Sequence, residues 1–423
     1  AHVTEAAVSL DDPARAPQRI DETLATCLRH SRPVYLELPS DVVGLPCAAP
    51  KPFAFRSEPT SETAALAEAV EETLAMIDRA KRPLILAGVE IHRYRLRRAL
   101  ETLLRRSGFP IATTLLAKSL ISEQHPQYVG VYAGGLSKER VRRTVERSDC
   151  LLSLGAIMTD VNLGIYTANL DERTFIAANG DRVAIKHHHY GGVYLGHYIK
   201  ALAKGVGRLK LGRQRIVPAT RSLLKPYAPR PRARITVQRF FERMNRFLKP
   251  EHVVLADAGD CFLCAADLVM REKIGFVCQA FYCSIGFTLP ASLGVKLAVP
   301  DRRPVVFIGD GAFQMTGQEF STLIRERLNP IVFVMNNRGY AIERAIHDGP
   351  YNDLQPWIYH RWPEVLGGAP HYEVRTESDL ETALSALARL KDAPALVEVH
   401  IDPQDRSEGL ERLGRIVAKT YKL

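Results

Sequence analysis

One stretch of the sequence decides the fold: Pro304-Val305-Val306-Phe307-Ile308-Gly309-Asp310-Gly311, an apolar run that ends in a Gly-Asp-Gly turn. The run predicts a buried strand, and the residues that follow, Gln318–Leu328, predict a helix. A second apolar run, Pro330–Met335, predicts another buried strand, which ends in Asn336-Asn337. Because a strand, a helix and a strand in succession form parallel pairs, we expect Asp310 and Asn337 to emerge side by side at the carboxyl edge of a sheet.

Oxygen atoms would gather at this edge. The carboxylate of Asp310, the amide oxygen of Asn337 and the backbone carbonyl of Gly339 form a set of hard ligands that suits Mg²⁺. The glycines allow close approach of a diphosphate, and the start of the next helix offers free N–H groups to it. Asp and Asn also serve as ordinary turn and cap residues, so Gly-Asp-Gly alone would not identify a site.

The spacing of these motifs is more specific than any one of them. Gly-Asp-Gly, 24 intervening residues and Asn-Asn resemble the signature of thiamine-diphosphate enzymes. Within that superfamily, the segments 336–343 and 347–353 resemble the pyruvate and indolepyruvate decarboxylases, as do 33–37 and 45–50. The resemblance covers nearly the whole chain, and it implies an α/β fold of doubly wound parallel sheets in successive three-layer domains.

The resemblance also implies a site. It assigns Asp310, Asn337 and the Gly339 carbonyl to Mg²⁺, and Glu343 to catalysis, where it would handle the reacting carboxylate and the later proton transfer. Ile285 would hold thiamine diphosphate in its bent shape, and the Cys283 carbonyl would accept a hydrogen bond from the amino group of the cofactor. The implied cofactor contacts are Asp257, Ala258, Gly259, Asp260, Cys283, Ser284, Ile285, Gly309, Asp310, Gly311, Ala312, Asn337, Gly339, Tyr340, Ala341 and Ile342.

Two alanines depart from the family pattern. Ala258 and Ala312 lack hydroxyls that many relatives carry, which leaves backbone contacts at those positions. Judged outside the motif, Ile285 would be read as a core residue and Glu343 as an exposed helix glutamate.

The implied reaction is decarboxylation of a 2-oxo acid to an aldehyde and CO₂. Phe262, Ile342 and Ile346 would line the substrate pocket. Ala258 and Phe262 stand where pyruvate-specific relatives tend to carry Thr and Trp, so we expect a roomier pocket that prefers phenylpyruvate, indolepyruvate or branched 2-oxo acids. The alternatives are a non-catalytic cofactor-binding subunit or homologue, and an acetolactate-synthase-like carboligase, against which the Glu343 segment argues. A nicotinamide-dependent dehydrogenase is the least supported alternative, because no Gly-x-Gly-x-x-Gly motif follows a predicted strand.

The chain divides into four predicted parts. Residues 1–50, with a helix over Ala16–His30 and a strand over Val34–Pro39, read as the end of a pyrimidine-binding domain. Residues 51–207 form a central Rossmann-like domain, with helices near 64–79 and 93–106 and strands at 83–87, 110–114, 150–155 and 174–178. Residues 208–234 are a basic, Pro-rich linker, and residues 235–423 form the diphosphate-binding domain.

The activating glutamate of relatives lies in their N-terminal domain, contributed by a neighbouring subunit. We therefore expect about one α/β domain, on the order of 100–150 residues, to be missing before Ala1, and the chain alone to be inactive. The complete protein would be a homodimer or homotetramer.

Composition agrees with a globular chain of 423 residues, with 46% hydrophobic and 25% charged residues. No apolar run approaches the roughly 18 residues of a membrane span, and no secretory signal is visible, so we expect a cytoplasmic protein without membrane partners. Seven scattered cysteines should be reduced, and a zinc site at Cys261 and Cys264 is unsupported. Successive side chains of His187–His189 point to opposite faces, so they cannot share a metal ion.

The net charge of +10 raises the question of whether the chain binds nucleic acid. Nine Lys or Arg and no acidic residue lie between Arg208 and Arg234, among four prolines. A Pro-rich basic segment without interleaved aromatic residues favours a solvated linker over a nucleic-acid arm. We expect a small-molecule 2-oxo acid as substrate and no nucleic-acid partner.

Overall fold

A computed structural model of the chain describes residues 3–53, 60–209, 216, 219–224 and 226–421. Its strands are β1 (Ala7–Ser9), β2 (Tyr35–Glu37), β3 (Pro83–Ala87), β4 (Ile111–Thr113), β5 (Tyr128–Val131), β6 (Cys150–Leu154), β7 (Phe175–Asn179), β8 (Arg182–Ile185), β9 (His188–Gly191), β10 (His252–Ala256), β11 (Gly275–Cys278), β12 (Arg303–Gly309), β13 (Ile331–Asn336), β14 (His371–Val374) and β15 (Ala395–His400).

The helices of the described residues pack on the faces of these sheets. They are α1 (Ala16–His30), α2 (Thr63–Arg79), α3 (Glu90–Arg93), α4 (Arg97–Ser107), α5 (Glu139–Glu146), α6 (Leu195–Val206), α7 (Val237–Phe247), α8 (Asp260–Ala265), α9 (Thr288–Ala298), α10 (Asp310–Thr316), α11 (Phe320–Arg325), α12 (Ala341–Ile346), α13 (Trp362–Val365), α14 (Glu377–Arg389) and α15 (Glu408–Tyr421). None of the described helices is both long and apolar enough to cross a bilayer.

The N-terminal segment holds one helix and two short strands. The predicted helix Ala16–His30 is confirmed, and the predicted strand is the shorter β2. β1 pairs with β2 in parallel, and sequence reasoning missed it because three residues carry too little periodicity. Several apolar side chains of this segment are exposed, among them Leu38 and Val43.

The central sheet has the order β5-β4-β3-β6-β7-β8-β9, with helices on both faces. The five strands from β5 to β7 in that order are parallel, as predicted, whereas β8 and β9 add an antiparallel edge that the sequence reasoning missed. The prediction of one helix over residues 93–106 is wrong. Arg95 adopts the left-handed conformation, with φ 57°, and this separates α3 from α4.

The C-terminal sheet has the order β11-β10-β12-β13-β15-β14 and is parallel throughout. β12 and β13 are neighbours, and their register places Gly309 opposite Met335. Both strands are buried on both faces, which explains their nearly continuous apolar sequences. The predicted helix over Gln318–Leu328 needs correction, because helix α10 starts directly at Asp310 and only Phe320–Arg325 of the predicted span is α-helical.

The predicted linker is only partly visible, since residues 210–215, 217–218 and 225 lie outside the described residues. The part that is described is not simply solvated. Thr220 donates to the backbone carbonyl of Glu123 over 2.8 Å, and the hydroxyl of Tyr227 donates to Glu377 over 3.0 Å. The guanidinium of Arg239 lies 4.1 Å from the ring centre of Tyr227. The segment therefore contacts elements of both large sheets.

Candidate active site

A cavity of about 710 Å³ lies at the carboxyl edge of the C-terminal sheet. Asp310 follows β12 and Asn337 follows the neighbouring strand β13, so parallel pairing brings them to the same edge, as the sequence reasoning expected. Most of the predicted site residues line this cavity: Ala258, Gly259, Asp260, Phe262, Cys283, Ile285, Gly309, Asp310, Gly311, Ala312, Asn337, Gly339, Tyr340, Ala341, Ile342, Glu343 and Ile346. Asp257 and Ser284 do not.

Asp310 is the most buried acidic group on the cavity wall, with 1% of the residue exposed. One carboxylate oxygen accepts from Gly311 N over 2.8 Å and the other from Gly339 N over 3.1 Å. Burial raises the pKa of Asp310 to about 6, against the opposing effect of these N–H groups. A buried carboxylate is stabilised by a nearby cation, so this position suits a metal ion.

Arg344 fixes the loop that follows β13. Its guanidinium donates to the carbonyl oxygens of Asn337 over 3.0 Å and Arg338 over 2.8 Å. The same group forms an ion pair with Asp353 at 2.6 Å, and only 6% of the Arg344 side chain is exposed. Sequence reasoning missed this role because a basic residue on a short helix reads as solvated. Arg344 engages the Asn337 carbonyl and leaves the side-chain oxygen available to a ligand.

The glycines show that the cavity has room for a phosphate group. A Cβ atom at Gly339 would lie 2.2 Å from the carbonyl oxygen of Asn352, so only glycine fits in this loop. At Gly259 and Gly309, in contrast, a Cβ atom would meet no protein atom within 4 Å. The backbone at these two cavity-lining positions is therefore open to a ligand. The donor set and the open backbone together fit Mg²⁺ and a diphosphate.

Asp257 lies behind the cavity wall and acts on its neighbours. The residue is 0% exposed. One carboxylate oxygen accepts from Gly286 N over 2.9 Å; the other accepts from Thr288 N over 2.9 Å and Thr288 Oγ1 over 2.6 Å. Burial raises the pKa of Asp257, and the hydrogen bonds from Thr288 and Gly286 oppose that shift. In the described geometry Asp257 fixes a turn, and a direct cofactor contact stays a prediction.

Residues 283–286 form this turn, called the cofactor turn below, and it carries Ile285, which is predicted to hold thiamine diphosphate in its bent shape. Cys283 and Gly286 both have positive φ angles, 56° and 83°, so the chain reverses sharply between them. Thr316 donates from its hydroxyl to the Gly286 carbonyl over 2.9 Å. Ile285 sits between these fixed points and lines the cavity with 37% of its surface exposed. An exposed isoleucine held on a tight turn is poorly explained as a core residue.

Helix α8 forms another wall. Asp260 accepts from Ser407 N over 2.9 Å and from the Ser407 hydroxyl, and Cys264 Sγ lies 3.5 Å from the same carboxylate. Asp260 thus ties α8 to the start of α15 while lining the cavity. Phe262 and the free thiols of Cys261 and Cys264 lie on the same helix and also line the cavity.

Further lining residues escaped the sequence reasoning. Apolar side chains come from α7, from the residue after β15 and from α15, namely Val237, Phe241, Ile401, Leu413 and Val417. A loop of the central sheet adds Asp160, Ile165 and Tyr166, of which the last two have φ angles of 54° and 59°. The apolar residues have the periodicity of any core element, so no sequence signal distinguished them. A β-branched residue with positive φ is visible only in the structure.

Glu343 lies in the first turn of α12 on the cavity wall, and it is exposed. Ile342 precedes it and Ile346 follows on the same helix, and both line the cavity. Glu343 therefore adds a carboxylate to a cavity wall that also contains apolar side chains, which is an arrangement able to exchange a proton with a bound ligand. Its catalytic role stays a prediction.

Comparison with known proteins agrees with this arrangement. Residues 70–204 match the central domain of thiamine pyrophosphate enzymes, and residues 257–399 match the C-terminal thiamine-pyrophosphate-binding domain. An alpha-keto-acid decarboxylase of Mycolicibacterium paratuberculosis is 35% identical over 92% of this chain and 69% of its own length. A probable pyruvate decarboxylase of Schizosaccharomyces pombe is 31% identical over 98% of this chain and 73% of its own length.

Proposed function

Because the chain belongs to the family of thiamine-diphosphate-dependent 2-oxo acid decarboxylases, we propose that its cavity removes CO₂ from a 2-oxo acid with a bulky apolar side chain. Thiamine diphosphate, also called thiamine pyrophosphate, is the cofactor of this family. When bound, it supplies the electron sink that decarboxylation of a 2-oxo acid needs. The remaining work, which is holding, orienting and proton exchange, falls to side chains of this chain.

Three groups would hold the metal and the diphosphate. The Asp310 carboxylate, the Asn337 side-chain oxygen and the Gly339 carbonyl would bind Mg²⁺, and the open backbone at Gly259 and Gly309 would admit the diphosphate. Support comes from the buried Asp310 carboxylate, whose raised pKa reflects the cost of an uncompensated charge. The Asp257 hydrogen bonds would keep Ile285 in place against the cofactor.

Glu343 would exchange a proton with the bound substrate. Its carboxylate lies on the cavity wall beside Ile342, where it can approach the carboxylate end of a substrate and later deliver a proton to the reacting carbon. The apolar residues of the cavity wall would limit water at the reacting centre once a substrate is bound, which would reduce competing protonation.

The size of the substrate follows from the apolar wall. Phe262, Ile346, Leu413 and Val417 belong to three different helices and line one side of the cavity. Such a wall favours an aromatic or branched aliphatic side chain, as in phenylpyruvate, indolepyruvate or a branched 2-oxo acid, over the methyl group of pyruvate.

The protein is further proposed to be a homodimer or homotetramer. Large apolar side chains close to the cofactor turn are exposed: Phe281 by 53%, Tyr282 by 80% and Phe287 by 36%. Patches of this kind mark subunit contacts more often than free surface. Light scattering should give a mass above that of one chain, and Tyr282→Asp should lower it.

The observation that carries the proposal is the buried Asp310 carboxylate next to open glycine backbone in a family of known cofactor. The test is calorimetric titration of thiamine diphosphate with Mg²⁺ into the wild type and Asp310→Ala, followed by an aldehyde-release assay in the presence of a relative's N-terminal domain, which is expected to supply the activating glutamate. Binding that Asp310→Ala abolishes, with aldehyde formed, supports the decarboxylase. Binding without aldehyde supports a non-catalytic cofactor-binding subunit, an acyloin product supports a carboligase, and absence of binding contradicts the site.

A further inference from the structure

A lysine and a glutamate form an ion pair that is buried between the two large sheets. Lys118 Nζ lies 2.6 Å from Glu123 Oε1, and the side chains are 0% and 2% exposed. Burial raises the pKa of Glu123, while the Lys118 ammonium and the N–H of Met270 oppose that shift. Removing two charges from water is costly, so such a pair persists only where further hydrogen bonds satisfy both groups.

Within the central domain, the Tyr128 hydroxyl donates to Glu123 over 3.2 Å. The other further partners come from the C-terminal domain, although both charged residues follow β4 of the central sheet. Lys118 Nζ donates to the carbonyl oxygen of Ala266 over 3.1 Å. Glu123 accepts from Met270 N over 3.1 Å through its side chain, and its own N–H donates to the Met270 carbonyl over 2.9 Å. Ala266 and Met270 follow α8 in the sequence. The pair therefore holds the segment that ends this helix.

Helix α8 needs such support. It has only six residues, too few to be stable through its own hydrogen bonds. At its start, Asp260 is anchored to Ser407, and at its end Ala266 is anchored to Lys118. Between these anchors, Cys261, Phe262, Leu263 and Cys264 line the cavity, and Phe262 has the largest side chain. A shift at either anchor would move its ring.

We propose that Lys118 and Glu123 are positioning residues, which set where α8 presents Phe262 to the substrate cavity. Neither residue lines that cavity, so these two residues of the central domain would influence the choice of substrate without touching it. The kinetic consequence rests on the proposed decarboxylase function, whereas the mechanical coupling between the pair and α8 does not.

The mechanical coupling is tested by hydrogen exchange on the full chain. The double variant Lys118→Met/Glu123→Gln keeps the side-chain volumes and leaves no unpaired charge in the interface. We expect the amides of residues 260–270 to exchange at least about tenfold faster in this variant. Glu377→Gln is the matched control, because Glu377 is also buried and pairs with an arginine, Arg239, at 2.8 Å. It should leave exchange in residues 260–270 within about twofold of the wild type.

Two results would overturn the coupling. One is an amide exchange rate across residues 260–270 that is the same in the double variant as in the wild type. The other is an acceleration in Glu377→Gln as large as that in the double variant, which would indicate that the whole protein is destabilised. Should the double variant not fold, the single variant Glu123→Gln is measured in the same way. It retains the bond from its own backbone N–H to the Met270 carbonyl but leaves the Lys118 charge without its partner, so we expect it to accelerate the same amides; unchanged exchange there also counts against the coupling.

The kinetic readout is the ratio of kcat/KM for phenylpyruvate to that for pyruvate. We expect the double variant to change this ratio at least about fivefold, mainly through KM, and Glu377→Gln to leave it unchanged. An unchanged ratio in the double variant would overturn the effect on substrate choice. If the wild type released no aldehyde, the proposed function would fail, while the exchange result would still decide the coupling.

Discussion

Replacement of Asp257 by asparagine tests whether the cofactor turn is set before any ligand arrives. The carboxylate accepts three hydrogen bonds, one at Gly286 and two at Thr288. An amide keeps one acceptor atom, which we expect to stay with Thr288 because two donors converge there. The NH₂ group would then face the N–H of Gly286, and that buried donor would lose its partner.

The magnitude follows from these contacts. Losing a hydrogen bond to a charged group costs about 1.5–3 kcal/mol. Burial raises the pKa of Asp257, so a neutral side chain recovers part of this cost by removing a poorly solvated charge. We expect a net loss of about 2 kcal/mol, which corresponds to roughly 30-fold weaker binding of thiamine diphosphate if the turn must be restored on binding.

The assay is calorimetric titration of thiamine diphosphate at saturating Mg²⁺, beside urea unfolding of the same samples. Thr288→Val is the matched control, because it removes only the hydroxyl and keeps both N–H bonds to Asp257; its effect should be about 1 kcal/mol. Affinity in Asp257→Asn within about threefold of the wild type, together with a clear loss of stability, would refute the reasoning. Asp257 would then stabilise the fold without shaping the site.

Three other perturbations test separate parts of the site. Since burial raises the pKa of Asp310 to about 6 and Mg²⁺ binds the ionised group, Mg²⁺ affinity should fall about tenfold from pH 7 to pH 5; a flat calorimetric profile would contradict this. Glu343→Gln should bind thiamine diphosphate within about threefold of the wild type yet release aldehyde at least about 100-fold more slowly, whereas lost binding would assign Glu343 to the cofactor. Leu413→Phe should raise KM for phenylpyruvate about tenfold and spare pyruvate, with Leu413→Met as the volume-conserving control; equal effects on both substrates would exclude a size-selective wall.

The sequence was most informative where local chemistry is unusual. Gly-Asp-Gly after an apolar run, followed at fixed spacing by Asn-Asn, was enough to place Asp310 and Asn337 at one sheet edge, because parallel pairing leaves few alternatives. The buried strands over residues 83–87 and 331–335 were found for a similar reason, since residues covered on both faces form continuous apolar runs.

Other features depend on contacts between residues far apart in the chain. Arg344 holds the loop after β13, and Leu413 faces the cavity, yet each has a sequence context typical of an ordinary helix. A cofactor contact of Asp257 stays a prediction, and its hydrogen bonds to Gly286 and Thr288, about 30 residues away, are revealed only by the structure. The left-handed conformation at Arg95 likewise has no signal in its side chain.

The strand order of the C-terminal sheet bears on how the protein acquires its site. All neighbouring strands of this sheet are parallel, so no hairpin joins them, and every pairing closes a long loop even where consecutive strands such as β12 and β13 pair. Parallel sheets of this kind fold slowly and expose unpaired edges while they do so. The cavity draws residues from 136 to 417, and it can therefore exist only after nearly all of these strands have paired. Recovery of thiamine diphosphate binding during refolding should accordingly lag behind recovery of helical circular dichroism, and cofactor added early should give little protection against aggregation.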